Sequence, residues 1–544
     1  MSLLAVTVYL AILFWAIKQI KAVLFWLYLW QLKNYHLGRF MAHFSTAKGQ
    51  EIFLNKIYSF KISWLIFFFA SGNSQFLLWW SLPLIILYFL EASKTLSGLV
   101  SGKIKKPVWT GKALFLAAAA FTAVFHFQVS FFLIFGASFV FLAWLLFLDI
   151  LAPAIVSGIV LIFQPVAAFL RNRTVSEAEA KRARFKDLIV IGITGSCGKS
   201  SVKEFLAAIL SKKYNVLRTP KNQNSEVGIS RTILDLLRPE HQIFVCEIGG
   251  YDIQGIRLAA EIAKPQMGIL TCINQQHLAT FGSQENIVKA KFKLIESLPG
   301  DGTAIVNIDN GLIRKELQSH RFGVKKIKRY SVKEEAEIWA GNVEVKRSKV
   351  SFEIFSRDGE FTRIEMNMPG GWPIVSNVLA AAAAAKELKM SLAEIGRACQ
   401  KIDPGLAPVA VKQGINGLNI IDSSYSANPD GVIADLDYLN VWVGKKIVVM
   451  PSLIELGKAA TEVHKAIGEK IGRVCDLAII TSSEGVRDIK EGALRSRLGP
   501  EKVLFMEDTK KIVEVIKKET QRGDTVLLEG RVPEGVLKLL EEKK

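Results

Sequence analysis

Between an apolar run, DLIVIGI (187–193), and a helically spaced stretch, SSVKEFLAAIL (200–210), stands the turn Thr194-Gly195-Ser196-Cys197-Gly198-Lys199. A glycine turn joining strand to helix aims backbone N–H groups and a helix N-terminus at one point, the geometry that holds phosphate oxygens. Lys199 would reach the terminal phosphates and Ser200 would offer its hydroxyl to magnesium. Ile193 occupies the place of the first glycine in G-x4-G-K-[ST], so what remains is the shorter T-G-x-x-G-K-[ST]. Two further runs end in groups that suit the same ligand. IFVCEIGG (243–250) reads as a strand closing on Glu247, and MGILTCINQQHL (267–278) as one closing near Asn274 and His277. Ligands of open α/β sheets sit beyond the carboxyl ends of the strands, where a carboxylate, an imidazole and a hydroxyl can complete a magnesium shell. Taken alone, His277 reads rather as a residue of an ordinary surface turn.

The elements that position these groups occupy only part of the chain. At 544 residues it exceeds one ordinary core. The formal charge of +19 is uneven: residues 1–171 hold thirteen Lys/Arg against Glu51, Glu91 and Asp149. Beside long apolar runs, such basic loops match cytoplasmic segments facing anionic lipid, and no stacking or zinc-knuckle pattern speaks for nucleic acid. The five cysteines, Cys197, Cys246, Cys272, Cys399 and Cys475, form no CxxC and read as reduced thiols. For Cys197, a small tolerated side chain in the turn is favoured over a reactive one.

The first third reads as an α-helical membrane region, 1–171, of about five spans. Residues 3–30 make one tilted span, with Lys18 and Lys21 needing partners or a route to the surface. Residues 62–90, broken at SGNSQ (71–75), make a hairpin. Residues 113–150, broken near FHFQVS (125–130), make a second, and 151–170, with Pro153 and Pro165, a kinked or interfacial helix. His126 and Asp149 are the intramembrane groups that could line a pathway, though simple anchoring is the preferred reading. This places the chain in the cell membrane, multi-pass, with the lipid bilayer as a partner and the catalytic domains cytoplasmic. The polar stretch 172–186 is a linker.

Beyond it, several motifs in order resemble the Mur ligases: ITGSCGKSSVKEFLAAIL, TPKNQNSEVGIS (219–230), the stretch 247–310 from EIGGYDIQG to NIDN, and DSSYSANPDG (422–431). Within the family the nearest likeness is to the branch that adds D-Ala-D-Ala to a UDP-N-acetylmuramoyl tripeptide. The resemblance implies a P-loop ATPase domain at 187–403 and a C-terminal Rossmann-like domain at 404–544, using ATP and Mg2+. It also implies formation of an acyl phosphate on a muropeptide carboxylate, which an amino acid or dipeptide then attacks. On this likeness Lys199, His277 and Lys291 are catalytic, Lys291 by carbamylation; spacing alone would make Lys291 a solvated lysine beside Lys289 and Lys293. Thr194, Gly195, Ser196, Gly198, Lys199, Ser200, Ser201, Asn274, Asn377 and Asp422 hold the nucleotide. Ser200, Glu247, His277 and Lys291 serve magnesium, and Asn222, Asn224, Tyr425 and Asn428 meet the substrates.

The family pattern is also broken. Membrane helices stand in place of the uridine-binding domain. Ser225 replaces an expected asparagine, Pro373 and Ile374 replace a His-Asn pair, PGLAPVAV (404–411) lacks an arginine, and LLEGRVPEG (527–535) lacks a lysine and a serine. The muropeptide is therefore expected either soluble or lipid-linked. A poly-γ-glutamate-type membrane ligase is one alternative, opposed by the retained DSSYSANPDG. A non-catalytic membrane scaffold is another, opposed by the intact set Lys199, Ser200, Glu247, His277 and Lys291. A transporter reading fails for want of an ABC-type signature.

Overall fold

The computed structural model describes the chain except residues 1–2, 45–46, 71–76, 251–252, 426, 497, 534 and 542–544. It forms two compact units, Met1–Leu170 and Arg171–Lys544.

The first unit is helical: α1 (Leu3–Leu32), α2 (Lys56–Ala70), α3 (Leu77–Val100), α4 (Gly111–Phe135), α5 (Phe139–Ile162) and the start of α6 (Gln164–Arg182), with two short helices between α1 and α2. Among the described residues, five helical segments are long and apolar enough to cross a membrane by length and composition. Their buried faces meet in one core that includes Trp15, Trp30, Tyr88 and Phe141. The charges buried there are paired, as burial requires. Asp149 takes Lys18, Lys61 (2.7 Å) and the Gln19 amide (3.2 Å), and Lys61 also takes Glu91 at 2.7 Å. His126, by contrast, lies exposed on α4.

One expectation is corrected. The chain does not break near 125–130, since α4 runs through it and stops at Gly136 (φ 57°), with Ser138 capping α5. A glycine in the left-handed region followed by a serine cap ends one helix and starts the next more decisively than the polar residues of FHFQVS. The linker 172–186 is helical as far as Arg182, whose guanidinium caps the Phe185 and Leu188 carbonyls. The break expected at 71–75 lies outside the described residues.

The second unit holds two sheets. The larger contains β1 (Ile189–Thr194), β2 (Val216–Arg218), β3 (Ile243–Glu247), β4 (Met267–Leu270), β5 (Thr303–Asn307), β6 (Lys326–Ser331), β7 (Ile338–Val345), β8 (Val350–Ser356) and β9 (Phe361–Met366), in the order β2-β3-β1-β4-β5-β6-β7-β8-β9. It is parallel from β2 to β7 and antiparallel at β8 and β9. β1 sits near the middle with both faces covered, which is why it is apolar from Ile189 to Ile193 rather than alternating. One face packs on α7 (Lys199–Leu210), the other on α8 (Gln284–Glu296). The alanine run of α9 (Trp372–Glu387) is buried throughout, its small side chains allowing close approach to α7.

The smaller sheet contains β10 (Ala410–Gln413), β11 (Asn419–Ser423), β12 (Lys446–Met450), β13 (Leu477–Ile480), β14 (Val503–Phe505) and β15 (Thr525–Glu529), in the order β10-β11-β15-β12-β13-β14. Among the described strands of this sheet, only β10 is antiparallel to its neighbour. Helix α10 (Pro429–Leu439) follows β11 and starts on the Asn428 side chain, which accepts the Gly431 N–H at 3.1 Å.

Candidate active site

The turn after β1 is shaped by two glycines. Gly195 (φ 153°) lies so close to Thr271 that a Cβ there would collide with its hydroxyl, and at Gly198 (φ 78°) a Cβ would stand 2.5 Å from Asn377 Oδ1. A side chain at either position would push the loop off β4 or off α9, so the cradle has room for nothing larger. Asn377 is thereby placed against the cradle. Ser196 donates its N–H to the Cys272 carbonyl (2.7 Å), and the Asn274 N–H donates to Ser196 Oγ (3.2 Å). Lys199 folds back to donate to the Gly195 carbonyl at 2.7 Å.

Glu247, at the tip of β3, is the hub. Its Oε2 accepts from Ser200 Oγ at 2.8 Å and its Oε1 from Asn224 Nδ2 at 2.8 Å, while Lys203, 0% exposed, stands 3.5 Å away. Adjacent parallel strands bring these groups together from positions 47 and 23 residues apart. The hydroxyl and carboxylate form a hard-oxygen pair of the type magnesium takes. Burial lowers the Lys199 pKa, with Glu247 opposing the shift. Lys291, projecting from α8 with 4% exposure and 6.0 Å from the Phe281 ring, is lowered to about 7 by burial and by the positive charge of Lys199. It is not the solvated lysine that spacing alone described.

His277 goes elsewhere. Held at φ 65°, it places Nδ1 2.6 Å from Glu455 Oε2, a residue beyond β12 that is itself at φ 64°. Lys199, Ser200, Glu247 and Lys291 gather, then, while His277 joins the second sheet's loops. Asn274 reaches the same way: its Nδ2 donates to Asn428 Oδ1 (3.1 Å) and Asp430 Oδ2 (2.9 Å). Asp422 bonds Lys412 (3.0 Å) and Ser424 (2.5 Å); burial raises its pKa, but these bonds outweigh it and the net shift is downward. Tyr425 is 74% exposed and Asn222 is also exposed. Thr194 is buried with its hydroxyl unpartnered, and Ser201 is half-buried on the first turn of α7.

Sequence reasoning passed over Lys203, Asp430 and Glu455. Asp430 lay inside a motif already singled out, whereas Lys203 and Glu455 carried no local signal. The cysteines also require a correction: Cys197 and Cys272 form a disulfide, their Cα atoms 5.7 Å apart. Parallel pairing of β1 with β4 sets the residues that follow each strand side by side, which a separation of 75 in sequence conceals. Cys246, Cys399 and Cys475 are free and buried.

Comparison with known proteins gives the same picture. Residues 193–385 match the Mur ligase middle domain and 409–532 the Mur ligase, glutamate ligase domain. The UDP-N-acetylmuramoyl-tripeptide--D-alanyl-D-alanine ligase of Synechocystis is 30% identical over 381 residues, covering 68% of this chain and 78% of that protein. The Escherichia coli K12 protein of the same name is 33% identical over 284 residues, 52% of this chain and 61% of that one. Several other relatives are likewise spanned over less than two thirds of their length. Among solved structures, MurF of Acinetobacter baumannii aligns with a TM-score of 0.60 at 25% identity, covering 68% of this chain and 80% of that one. MurF ligase of Thermotoga maritima in complex with ADP aligns with a TM-score of 0.58 at 25% identity, covering 68% and 83%. The expected location is corrected here. The relatives that carry the similarity are named as ligases, and the apolar helices qualify as spans by length and composition alone, so a multi-pass membrane location does not stand.

Proposed function

The chain belongs to the Mur ligase family, and on that premise we propose that it joins D-Ala-D-Ala, or a similar amino compound, to the carboxylate of a muramoyl tripeptide at the expense of ATP. The observation that carries this reading is the convergence of Lys199, Ser200 and Glu247 at the strand tips, with Lys291 buried alongside.

In the proposed reaction a carboxylate oxygen of the tripeptide attacks the γ-phosphorus of ATP, the bond to the β-phosphate oxygen breaks, and ADP leaves. The amine nitrogen then attacks the acyl carbon, phosphate departs with the carbon–oxygen electron pair, and the amine loses a proton. Both steps pass through crowded anionic states that preorganised cations and N–H dipoles stabilise. Lys199 turns from the Gly195 carbonyl to the phosphates, and the N–H groups at the start of α7 face the same oxygens. Ser200 and Glu247 would hold Mg2+, which supplies charge neutralisation on the phosphates when bound. Lys291, with a pKa near 7, has a substantial neutral fraction at neutral pH, the form that adds CO2 to give a carbamate. Asn377 and Asp422 serve the nucleoside, Asn222 and Asn224 the acceptor, and Tyr425 and Asn428 the substrates beside the second sheet.

Incubating the protein with ATP, D-Ala-D-Ala and UDP-linked tripeptide, and reading product by mass, tests the proposal. The expected product is the tripeptide extended by one dipeptide, with one ADP and one phosphate released for each. Absence of any amide product with either the UDP-linked or the polyprenyl-linked acceptor, while ATP is still bound, overturns it.

A further inference from the structure

The disulfide between Cys197 and Cys272 lies inside the phosphate loop rather than at a structural margin. Cys197 is the fourth residue of the turn and half-buried; Cys272, 6% exposed, follows β4 by two residues. The loop is already tied to this segment at several points. The Ser196 N–H donates to the Cys272 carbonyl, the Thr271 hydroxyl to the Cys197 carbonyl (2.5 Å) and the Asn274 N–H to Ser196 Oγ. A further tie is different in kind: the Cys197 N–H donates to Cys272 Sγ at 2.8 Å, so a backbone donor of the cradle is spent on a protein sulfur.

From this arrangement we propose that Cys197 and Cys272 form an oxidative modification site that governs nucleotide binding. The inference rests on the assignment of the loop to ATP. When both thiols are reduced, the Cys272 side chain is free to rotate, and the Cys197 N–H is released to a phosphate oxygen. When they are joined, Cys272 Sγ is anchored beside that N–H and the loop cannot shift to wrap the phosphates. The oxidant class is a hydroperoxide. The Cys197 thiolate, at the N-terminus of α7 and beside Lys199, attacks one peroxide oxygen, breaking the O–O bond to give a sulfenic acid and, with H2O2, water. Cys272 sulfur then attacks the sulfenic sulfur, the S–O bond breaks, and a second water leaves. In sum two thiols and one H2O2 give one disulfide and two waters, with the thiols losing two electrons. A dithiol reverses the reaction by exchange.

The test uses the full chain, reduced with a dithiol or oxidised with H2O2, the state of the 197–272 pair being read by peptide mass and ADP affinity by calorimetry. The expected result is affinity weaker by about tenfold or more in the oxidised protein and restored by the dithiol. Linkage requires the reciprocal effect, so saturating ADP slows or disfavours closure of the disulfide. Cys272→Ser keeps the affinity of the reduced protein and no longer responds to peroxide; should that variant fail to fold, Cys272→Ala and the wild-type comparison carry the same question. Equal ADP affinity in two preparations whose peptide masses prove them fully joined and fully reduced overturns the inference, as does peroxide treatment that leaves both sulfurs unjoined. A reduced protein that binds no ADP instead overturns the ATP assignment, which keeps the two failures distinct.

Discussion

His277 Nδ1 stands 2.6 Å from Glu455 Oε2, joining the loop after β4 to the loop after β12, with both residues at left-handed φ values. Left-handed backbone at non-glycine residues persists only where surrounding contacts over-determine it, and it concentrates at functional sites. Here the Ala279 N–H also donates to the Glu455 carbonyl at 3.0 Å. The pair thus ties the proposed nucleotide site to the second sheet at the point where one of its expected metal groups resides. Replacing Glu455 by Gln keeps the size and removes the charge, so His277 faces an amide in place of a carboxylate but keeps its place. Turnover is expected to fall by about tenfold with little change in melting temperature, by steady-state kinetics and thermal denaturation.

Glu247→Gln is expected to cost more than activity. It leaves Lys203 buried without its full counter-charge and weakens the acceptor for Ser200 and Asn224, so stability falls by about 3 kcal/mol and turnover by about 10²-fold or more. Adding Lys203→Met removes the stranded cation. Denaturant melts of the double variant should recover most of the stability, while ATP turnover stays lost.

Lys291 gives a pH signature. Its folded pKa, about 7, lies below the 10.5 of an unperturbed lysine, so between these values the unfolded chain holds a proton that the folded chain lacks. Stability from this group therefore rises with pH across roughly 7 to 10.5, and below about 7 the folded state carries the whole cost of a buried cation. Lys291→Met should be more stable than wild type at neutral pH, by on the order of a few kcal/mol, with the difference shrinking as pH approaches 10. Denaturation at several pH values under CO2-free buffer checks this; a difference that widens with pH contradicts the burial argument. The same variant should be inactive.

Asn274→Ala removes the amide that reaches both Asn428 and Asp430. Helix α10 keeps its cap, because Asn428 still accepts the Gly431 N–H. The expected effect is a rise of about tenfold in the KM for ATP with a smaller loss of kcat, as befits lost positioning between two sheets rather than lost chemistry.

Tyr425→Ala tests the opposite case. The ring is largely exposed, so melting temperature should stay within experimental error, while the KM of one substrate rises, measured with each substrate varied in turn.

Much of the site was written locally. The run IVIGIT, the turn TGSCGK and the amphipathic start of α7 are contiguous, and period and turn chemistry act over a few residues, so strand, cradle and helix could be read directly. The same is true of the apolar helices of the first unit, whose composition needs no partner to be recognised. The family likeness came from motifs of this local kind in a fixed order. The helix break at 136–138 was misplaced because one glycine conformation outweighed a run of polar residues.

What the residues alone determined, then, is a glycine turn of phosphate-loop pattern between a buried strand and a helix, followed by a second α/β sheet. Strand order decided the rest: β3 and β4 flank β1, which sets Glu247 on Ser200, joins Cys197 to Cys272, and sinks Lys291 beside Lys199. Those partners lie tens of residues away along the chain. Spacing in sequence carries no information about them, because their proximity and their loss of solvent arise only when the sheet assembles and its helices cover it.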